Sequence, residues 1–196
     1  MYPSSIEKLI NLFAKFPTVG PRTASRFVFH LLNLPNEKTE ELLQSISDLK
    51  KQIKLCFSCF NYSESDVCGI CSDARRDKSL LCVVEKETDL ETIEKTKKYK
   101  GLYFVLDGTV SKLRKEDVEK LRIKELEEKL KKSPEMKEII LAINSTAEGE
   151  ATSLYLERLL KPYNKKISRL GRGLPLGSEL EYADDETLSS AIDNRK

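Results

Sequence analysis

Four of the five cysteines lie in two short pairs that are spaced as metal ligands. Cys56 and Cys59 form one C-x2-C pair, and Cys68 and Cys71 form a second pair after eight intervening residues. Two such pairs present four thiolates tetrahedrally to Zn²⁺, at Zn–S distances of ~2.3 Å. Two disulfides or a redox motif are the alternative, but a cytoplasmic protein keeps its thiols reduced and a redox motif is not expected in duplicate. The spacing predicts a structural zinc site without an open position for a catalytic water.

Acidic residues form a second set of candidate ligands. Glu85 follows the apolar run LCVV, and Glu148 and Glu150 follow the apolar run IILAI. Because the carboxyl ends of parallel strands meet at one edge of a sheet, we expect these glutamates to approach each other, with Asp107 as a further candidate. The pattern resembles the Toprim fold, in which a glutamate after the first strand and a later acid-x-acid pair surround Mg²⁺. The alternative is that Glu148 and Glu150 only favour the N-terminus of the next helix.

The segment between the first two apolar helical patterns has the residues of a phosphate-binding turn. Residues 16–24 (FPTVGPRTA) resemble the helix-hairpin-helix motif, whose usual form is apolar-Pro-Gly-Ile-Gly-Pro-Lys/Arg-x-Ala. Gly20, Arg22 and Arg26 are the candidate DNA contacts, through turn amides and two guanidinium groups one helical turn apart. Thr18 replaces the first glycine of the motif. The alternative is an ordinary helical hairpin that binds no ligand.

The elements that position these residues begin with a helical region. Apolar residues recur at helical spacing over residues 6–16, 22–34 and about 36–54. The first two helices flank the hairpin turn. The third is expected to bury one apolar stripe, which consists of Leu42, Leu43, Ile46, Leu49 and Ile53.

From Leu80 onward, short apolar runs alternate with amphipathic segments. The apolar runs are LLCVV, GLYFVLDG, EIILAINS and KKISRL, and charged segments with helical spacing separate them. This β-α-β-α-β-α-β order is typical of a parallel sheet covered by helices. The pattern includes a polar helix over residues 116–132, whose Glu and Lys pairs suit a solvated face. Cys82, inside LLCVV, is expected to be a core residue.

Composition and charge exclude several classes of protein. Of 196 residues, 39% are hydrophobic and 34% are charged, with 8 Gly and 7 Pro, so the chain is not collagen-like, low-complexity or disordered. No apolar run reaches the ~20 residues of a membrane-spanning helix and no signal peptide is recognisable, so we expect a cytoplasmic protein without a membrane partner. Residues 1–54 hold 8 basic and 5 acidic residues, an excess of three positive charges, whereas the net charge of the whole chain is +2. This bias permits a nucleic-acid partner without establishing one.

The predicted fold class is α+β with several domains. A helix-hairpin-helix bundle is expected over residues 1–54 and a four-cysteine zinc finger over residues 55–78. A Toprim-like α/β parallel sheet follows over residues 79–172, and a C-terminal tail over residues 173–196.

In this order and size, the modules resemble the RecR family of bacterial recombination mediators. The resemblance extends over nearly the whole chain, through FPTVGPRTASRFVFHLL, CFSCFNYSESDVCGICSDARRD, LCVVEKETDLETIEKT, YKGLYFVLDGTVS, STAEGEATSLYL and RGLPLGSELEYADDETL. The chain departs from the family pattern after Val110, where SKLRKEDVEKL replaces a proline- and glycine-bearing loop. It also departs at residues 144–147, where NSTA replaces Asn-Pro-Thr-Val.

The resemblance implies a non-enzymatic, cytoplasmic and nucleoid-associated protein of recombinational DNA repair. It implies a homotetrameric ring that encircles DNA without sequence preference. It also implies that the protein works with RecO and RecF to load recombinase onto strands coated by single-strand-binding protein. Glu85, Glu148 and Glu150 would then form a partner surface instead of an active centre.

Two other functions remain open from the residues alone. One is a Mg²⁺-dependent Toprim enzyme, such as a nuclease, primase or topoisomerase-like protein, that acts on phosphodiesters. The sequence offers no identifiable nucleophile, base or nucleotide site to complete such a catalyst, and the P-loop pattern G-x4-G-K-[ST] is missing. The other is a zinc-stabilised scaffold that does not bind DNA.

Overall fold

The computed structural model of the chain describes residues 2–110, 115–171 and 173–195. The chain divides into two compact units, the first over residues 1–53 and the second over residues 54–196. The sequence that departs from the family pattern after Val110 begins with residues 111–114, which lie outside the described residues. Arg172, the predicted last residue of the sheet domain, also lies outside them.

The first unit is helical, as predicted. It is built from α1 (Ser4–Phe13), α2 (Pro21–Leu32) and α3 (Asn36–Gln52). The Phe13 ring makes edge-to-face contacts with Phe16 and Phe27, at centroid distances of 5.8 and 5.9 Å. Among its described residues, only Ala24 and Val28 are buried, so the unit has a small core.

Four of the five residues of the apolar stripe predicted for α3 are exposed in the single chain, and the fifth, Ile53, is half-buried just after the helix. The exposed fractions of Leu42, Leu43, Ile46 and Leu49 are 42%, 63%, 53% and 59%. The prediction of a buried stripe is therefore wrong at this level of assembly. The physical reason is size, because a unit of about fifty residues has little interior to offer a third helix.

The second unit begins with the cysteine loop. Strands β1 (Lys54–Leu55) and β2 (Tyr62–Ser63) pair antiparallel, and the short helix α4 (Gly69–Ser72) follows them. This small amount of regular structure matches the low apolar content of the segment.

A four-stranded parallel sheet forms the centre of the second unit, in the order β4-β3-β5-β6. Its strands are β3 (Asp77–Val84), β4 (Gly101–Val105), β5 (Glu138–Ala142) and β6 (Lys166–Arg169). The crossover connections contain α5 (Glu87–Lys95), α6 (Lys115–Val118), α7 (Ile123–Lys132) and α8 (Ala147–Leu160). The predicted α+β class with a parallel sheet is confirmed.

Strand β3 lies between β4 and β5 and sends alternate residues to two cores. Leu81 and Val83 belong to one apolar cluster, and Cys82 and Val84 belong to the other. This alternation is the period of two that a strand imposes on its side chains. Cys82 is 1% exposed, which confirms that it is a core residue.

The helix predicted over residues 116–132 is divided in two. Between α6 and α7, the backbone amide of Arg122 donates to the carbonyl oxygen of Leu106 at 3.1 Å, and its guanidinium pairs with the Asp107 carboxylate at 2.8 Å. These bonds turn the chain back toward the sheet and interrupt the helix. Helix α7 is not wholly solvated, because it buries a face at helical spacing made of Ile123, Leu126 and Leu130.

The tail after the sheet contains α9 (Asp185–Asp193), which begins where the Asp184 carboxylate accepts a hydrogen bond from the Thr187 amide at 2.8 Å. Most large apolar side chains of the tail are exposed, namely Leu176, Leu180, Tyr182 and Ile192. None of the helices in the described ranges is both long and apolar enough to cross a bilayer.

Candidate functional site

The four thiols of the cysteine loop form a cluster that fits a metal ion. The Sγ atoms of Cys56, Cys59, Cys68 and Cys71 all lie within 4.8 Å of one another. A tetrahedral Zn²⁺ with Zn–S distances of ~2.3 Å separates its sulfurs by roughly 3.8 Å, and the Cys59 and Cys68 sulfurs are 3.5 Å apart. The Cys68 amide donates to the Cys56 sulfur at 3.3 Å, which stabilises a thiolate at that position. The residues therefore suit a closed, four-sulfur structural site.

Thiols packed this closely need a cation among them before they can ionise together. Hydrogen bonds with Cys68 and Cys71 raise the pKa of the Cys59 thiol well above its usual range, and burial raises it further. A divalent metal offsets this effect and displaces the thiol protons. Zinc affinity is therefore expected to fall as pH falls.

The zinc loop, residues 56–71, contacts β4, one of the two outer strands of the sheet, and α7. The Phe60 ring, whose residue has a left-handed φ of 63°, makes an edge contact with Phe104 at 5.4 Å. The Arg122 guanidinium also contacts this ring, 5.0 Å from the Phe60 centroid. Lys129 Nζ donates to the Ser58 carbonyl at 2.8 Å and to its hydroxyl at 2.9 Å. The loop is thus part of the second unit's packing.

The hairpin turn has a left-handed residue at the position where the motif sequence has glycine. Thr18 has a φ of 63°, in the left-handed region where the motif places glycine and where other residues are strained. Gly20 has φ −83° and ψ 169° and is the N-cap of α2, which begins with Pro21. Thr18 therefore keeps the turn, at a cost in backbone strain.

The N-terminus of α2 has the properties of an anion-binding site. No side chain among the described residues caps it, so first-turn amides have no intrahelical acceptor and point outward. A Cβ built at Gly20 meets nothing within 4 Å, and the residue is exposed. Arg22 and Arg26 are exposed, and neither forms an ion pair within the described part of the chain. The structure thus brings Gly20, Arg22 and Arg26 onto one accessible surface.

Glu85 lies at the carboxyl end of β3 and is held there by Asn144. Its Oε1 accepts a hydrogen bond from the Asn144 backbone amide at 2.7 Å, and its Oε2 accepts one from the Asn144 side chain at 2.8 Å. The Asp107 amide donates to the Glu85 carbonyl at 2.9 Å, so Asp107 lies beside Glu85 as expected. Glu85 is 9% exposed, and its carboxylate connects β3 with the loop after β5.

The other two glutamates of this edge have different surroundings. Glu148 is exposed in the first turn of α8. The Glu150 carboxylate pairs with Arg169 at 2.8 Å, and the same guanidinium pairs with Glu157 at 2.7 Å. Among the described residues, no group of three carboxylates approaches within 4.8 Å. Glu85, Glu148 and Glu150 share an edge without forming a metal-sized cluster, and Mg²⁺ binding there stays a prediction.

Several residues that shape this edge were not singled out from the sequence. Asn144 and Arg169 hold the carboxylates of Glu85 and Glu150, and Asp89 places its Oδ2 in a buried position without a hydrogen-bond partner among the described residues. Burial raises the pKa of the Asp89 carboxyl, and the charge of Glu85 adds to the rise. Asn144 directly follows a predicted strand, so its place at this edge could have been predicted from the sequence. No local sequence pattern indicates that Arg169 pairs with Glu150.

Family comparisons match the modules in the order in which the structure presents them. Residues 6–50 match the helix-hairpin-helix of RecR, and residues 53–73 match the four-cysteine zinc finger domain of RecR. Residues 79–171 match the Toprim domain, and residues 173–196 match the C-terminal segment of RecR. Together with the four-sulfur cluster, the zinc-finger match confirms the predicted structural zinc.

Relatives of nearly the same length share this order. The chain is 44% identical over 194 residues to "Recombination protein RecR" of Clostridium perfringens, covering 99% of this chain and 97% of that protein. It is also 44% identical over 196 residues to "Recombination protein RecR" of Myxococcus xanthus, covering 100% and 99%. The similarity therefore includes the hairpin, the zinc loop, the sheet and the tail.

Proposed function

The chain belongs to the RecR family of recombination proteins, and from this we propose that it is a non-enzymatic, DNA-binding mediator of recombinational repair. In this proposal it assembles into a tetrameric ring, binds DNA without sequence preference, and works with RecO and RecF. Together they load recombinase onto single strands coated by single-strand-binding protein. We further propose a cytoplasmic, nucleoid-associated location and domains over residues 1–54, 55–78, 79–172 and 173–196.

The observation that carries the proposal is the open N-terminus of α2. First-turn amides, a glycine N-cap with free space around it, and the guanidinium groups of Arg22 and Arg26 lie on one exposed surface. These groups suit phosphate oxygens and offer no pattern for reading base edges. Binding is therefore expected to depend on salt and not on sequence.

Exposed apolar surface on each unit supports the proposed ring. The α3 face of Leu42, Leu43, Ile46 and Leu49 is exposed on the first unit. On the second unit, the tail exposes Leu176, Leu180, Tyr182 and Ile192. Apolar side chains exposed in such numbers favour protein interfaces, and two separate self-complementary interfaces per chain are enough to close a ring.

The acidic edge supports the proposed docking role better than a catalytic one. Asn144 already donates to both carboxylate oxygens of Glu85, and Arg169 pairs with Glu150. Two of the three carboxylates are thereby fixed as hydrogen-bond acceptors, and Glu148 remains exposed for a basic partner. We propose that this edge binds RecO, with charge complementarity as the source of specificity.

A second candidate function is a Mg²⁺-dependent Toprim enzyme, which the Toprim match over residues 79–171 favours. One incubation separates the two. End-labelled single- and double-stranded DNA is mixed with the protein, Mg²⁺ and nucleoside triphosphates, and both binding and strand length are followed. The mediator proposal expects salt-sensitive binding with intact strands. Mg²⁺-dependent cleavage, ligation or primer synthesis would favour the enzyme, and the absence of DNA binding at every salt concentration would favour a scaffold.

A further inference from the structure

The two edges of the parallel sheet carry opposite charge. The segments that open the four strands are residues 77–79, 97–101, 135–138 and 165–166, and they hold seven lysines and three carboxylates. The segments that follow β3, β4 and β5 are residues 85–89, 106–108 and 143–150, and they hold six carboxylates and one lysine. The carboxyl edge is the acidic edge described above. The basic amino edge has no role in the proposed function.

Backbone hydrogen bonds place Lys100, Lys137 and Lys166 in one row along the amino edge, and Lys78, Lys97 and Lys98 lie close to this row in the sequence. The Asp77 amide donates to the Lys100 carbonyl at 2.9 Å, which places Lys100 next to the start of β3. The Lys137 amide donates to the Ser79 carbonyl at 2.8 Å, and the Lys166 amide donates to the Lys137 carbonyl at 2.9 Å. The row therefore crosses all four strands, a distance of ~14 Å at about 4.8 Å per strand.

Six of the seven lysines form no ion pair with a described carboxylate, but Lys100 and Lys137 interact electrostatically with Glu94 and Asp77. Lys78, Lys97 and Lys98 are exposed and form no ion pair within the described ranges. Lys166, by contrast, pairs with Glu138 at 3.1 Å, and Lys165 donates to the Pro134 carbonyl at 3.0 Å. Unneutralised lysines in a row repel each other, so the surface is favourable for a partner that supplies regularly spaced negative charge.

A nucleic-acid backbone is the partner that fits this surface. Phosphates along one strand of a duplex are ~3.4 Å apart along its axis, so the whole row of ~14 Å spans about four of them. Lys78, Lys97 and Lys98 belong to the part of this edge where β3 and β4 begin. Lysine carries a point charge on a flexible side chain, so it can bind a phosphate without a fixed geometry. A row of lysines does not read base edges, and we expect it to bind the backbone alone. An acidic protein segment is the other partner class that such a row could bind.

We propose that Lys78, Lys97 and Lys98 bind nucleic-acid phosphates and form a second contact surface, separate in the sequence and on a different unit from the hairpin. The inference rests on the proposed DNA-binding function and adds a surface that the hairpin motif does not include. Removing these charges therefore weakens DNA binding although the hairpin is intact.

The test compares three variants of the full-length, zinc-loaded protein. The first carries Lys78→Gln, Lys97→Gln and Lys98→Gln. The control carries Lys86→Gln, Lys120→Gln and Lys124→Gln, which removes the same number of charges from exposed positions outside the amino edge. The third carries Arg22→Glu and Arg26→Glu. Each is checked for an unchanged thermal unfolding midpoint, and DNA affinity is measured by fluorescence anisotropy from low to high salt.

The first variant is expected to bind DNA about tenfold more weakly than the control at ~0.1 M salt, with a slope of log affinity against log salt that is smaller by about 3. Equal affinity and slope in the first variant and the control, with lost affinity in the hairpin variant, would overturn this inference and leave the proposed function standing. Unaltered binding in all three would overturn the proposed function as well. Normal DNA binding with lost binding to a labelled polyglutamate peptide would assign the row to an acidic protein and overturn the inference.

Discussion

The carbonyl oxygen of the zinc ligand Cys59 accepts a hydrogen bond from the Val105 amide at 2.9 Å. Val105 is the last residue of β4, the outer strand of the sheet, so the bond connects the metal site to a strand edge. Unpaired edge groups favour unwanted pairing with other chains. The zinc loop therefore covers part of the free edge of β4.

Loss of zinc is expected to destabilise the sheet together with the loop. Cys59→Ser removes one thiolate and loosens the segment that bonds to Val105, so we expect a loss of about 3 kcal/mol or more, equivalent to roughly 6–12 °C in midpoint. Metal analysis should give one zinc per parent chain, and thermal unfolding should report the loss. Cys82→Ser, at a buried position outside the cluster, is the control that should leave the zinc content unchanged. Zinc-free protein that is fully folded would refute this prediction.

Reversal of the hairpin charges is expected to weaken DNA binding equally for all sequences. Arg22→Glu with Arg26→Glu should lower affinity at least about tenfold and reduce the salt slope by about 2, since each arginine is assigned a phosphate contact. The matched control is Lys8→Glu with Lys38→Glu, at exposed positions on α1 and α3. Affinity that does not differ between the two variants at moderate salt would show that the hairpin is not a DNA contact.

Substitution of Gly20 should reduce DNA affinity with little effect on stability. Gly20→Ala is expected to change the free energy of unfolding by less than about 1 kcal/mol, because its φ is ordinary and a Cβ meets nothing within 4 Å. DNA affinity should fall, since the methyl group occupies the space through which a phosphate reaches the amides. Chemical denaturation and anisotropy on one preparation measure both. Retained affinity in Gly20→Ala would mean that no phosphate comes close to this backbone.

Glu85 and Glu148 should respond differently to the same substitution. Glu85→Gln places an amide donor against one of the two N–H groups of Asn144, so we expect a loss of about 1–3 kcal/mol in unfolding free energy. Glu148→Gln, at an exposed position, should keep its stability within about 0.5 kcal/mol and lose affinity for RecO. Glu135→Gln, exposed and close to the amino edge, is the control for the loss of one negative charge.

Two assays decide what the Glu148→Gln result means, one of RecO affinity and one of a Mg²⁺-dependent strand reaction. Reduced RecO affinity without any effect on DNA binding supports a docking edge. A Mg²⁺-dependent strand reaction that the parent performs and Glu148→Gln lacks would contradict it, because a metal held by this carboxylate would then be catalytic.

Acid should weaken the contact that joins the end of the zinc loop to α5. A hydrogen bond from Arg76 lowers the pKa of the Glu94 carboxyl, and the Tyr103 hydroxyl donates to the same group at 2.9 Å. A carboxyl with a lowered folded pKa stabilises the protein above its unfolded value of 4.5 and loses that contribution as pH falls through the folded pKa. Glu94→Gln should therefore be less stable than the parent at about pH 7 by roughly 1–3 kcal/mol.

The difference between Glu94→Gln and the parent should shrink as pH falls below 4.5, because the unfolded carboxyl then takes up a proton more readily than the folded one. Urea unfolding at ~pH 7 and ~pH 3.5 measures it. A constant difference at both values would show that the Arg76 contact does not depend on the charge of Glu94. Glu91→Gln, whose partner Lys95 is exposed, is the control that should change stability little at either pH.

The parallel sheet could be predicted from the sequence because three of its strands, β3, β4 and β5, are largely buried. Such strands are short continuous apolar runs, and β3 ends in four buried residues. The zinc ligands could be predicted because their spacing is local. In the same way, the hairpin motif was recognisable although Thr18 occupies the left-handed position.

Contacts between distant segments could not be predicted in this way. Glu85 and Asn144 are 59 residues apart, and their pairing depends on strand register, which apolar runs do not specify. Periodicity indicated an apolar face on α3 but not what would cover it, so Leu43 and Leu49 were assigned to a core that a single chain does not form. The helix predicted over residues 116–132 is interrupted at Arg122 because this residue bonds to Leu106 and Asp107. Such long-range bonds cannot be predicted from helix propensity.

The central claim is that this protein helps a recombinase onto coated single strands. The most direct measurement is the rate at which recombinase filaments form on single-stranded DNA covered by single-strand-binding protein, in the presence of RecO, with and without this protein. We predict that the zinc-loaded protein increases the rate and that the variant with Arg22→Glu and Arg26→Glu does not. A rate that is the same with and without the parent protein would contradict the account.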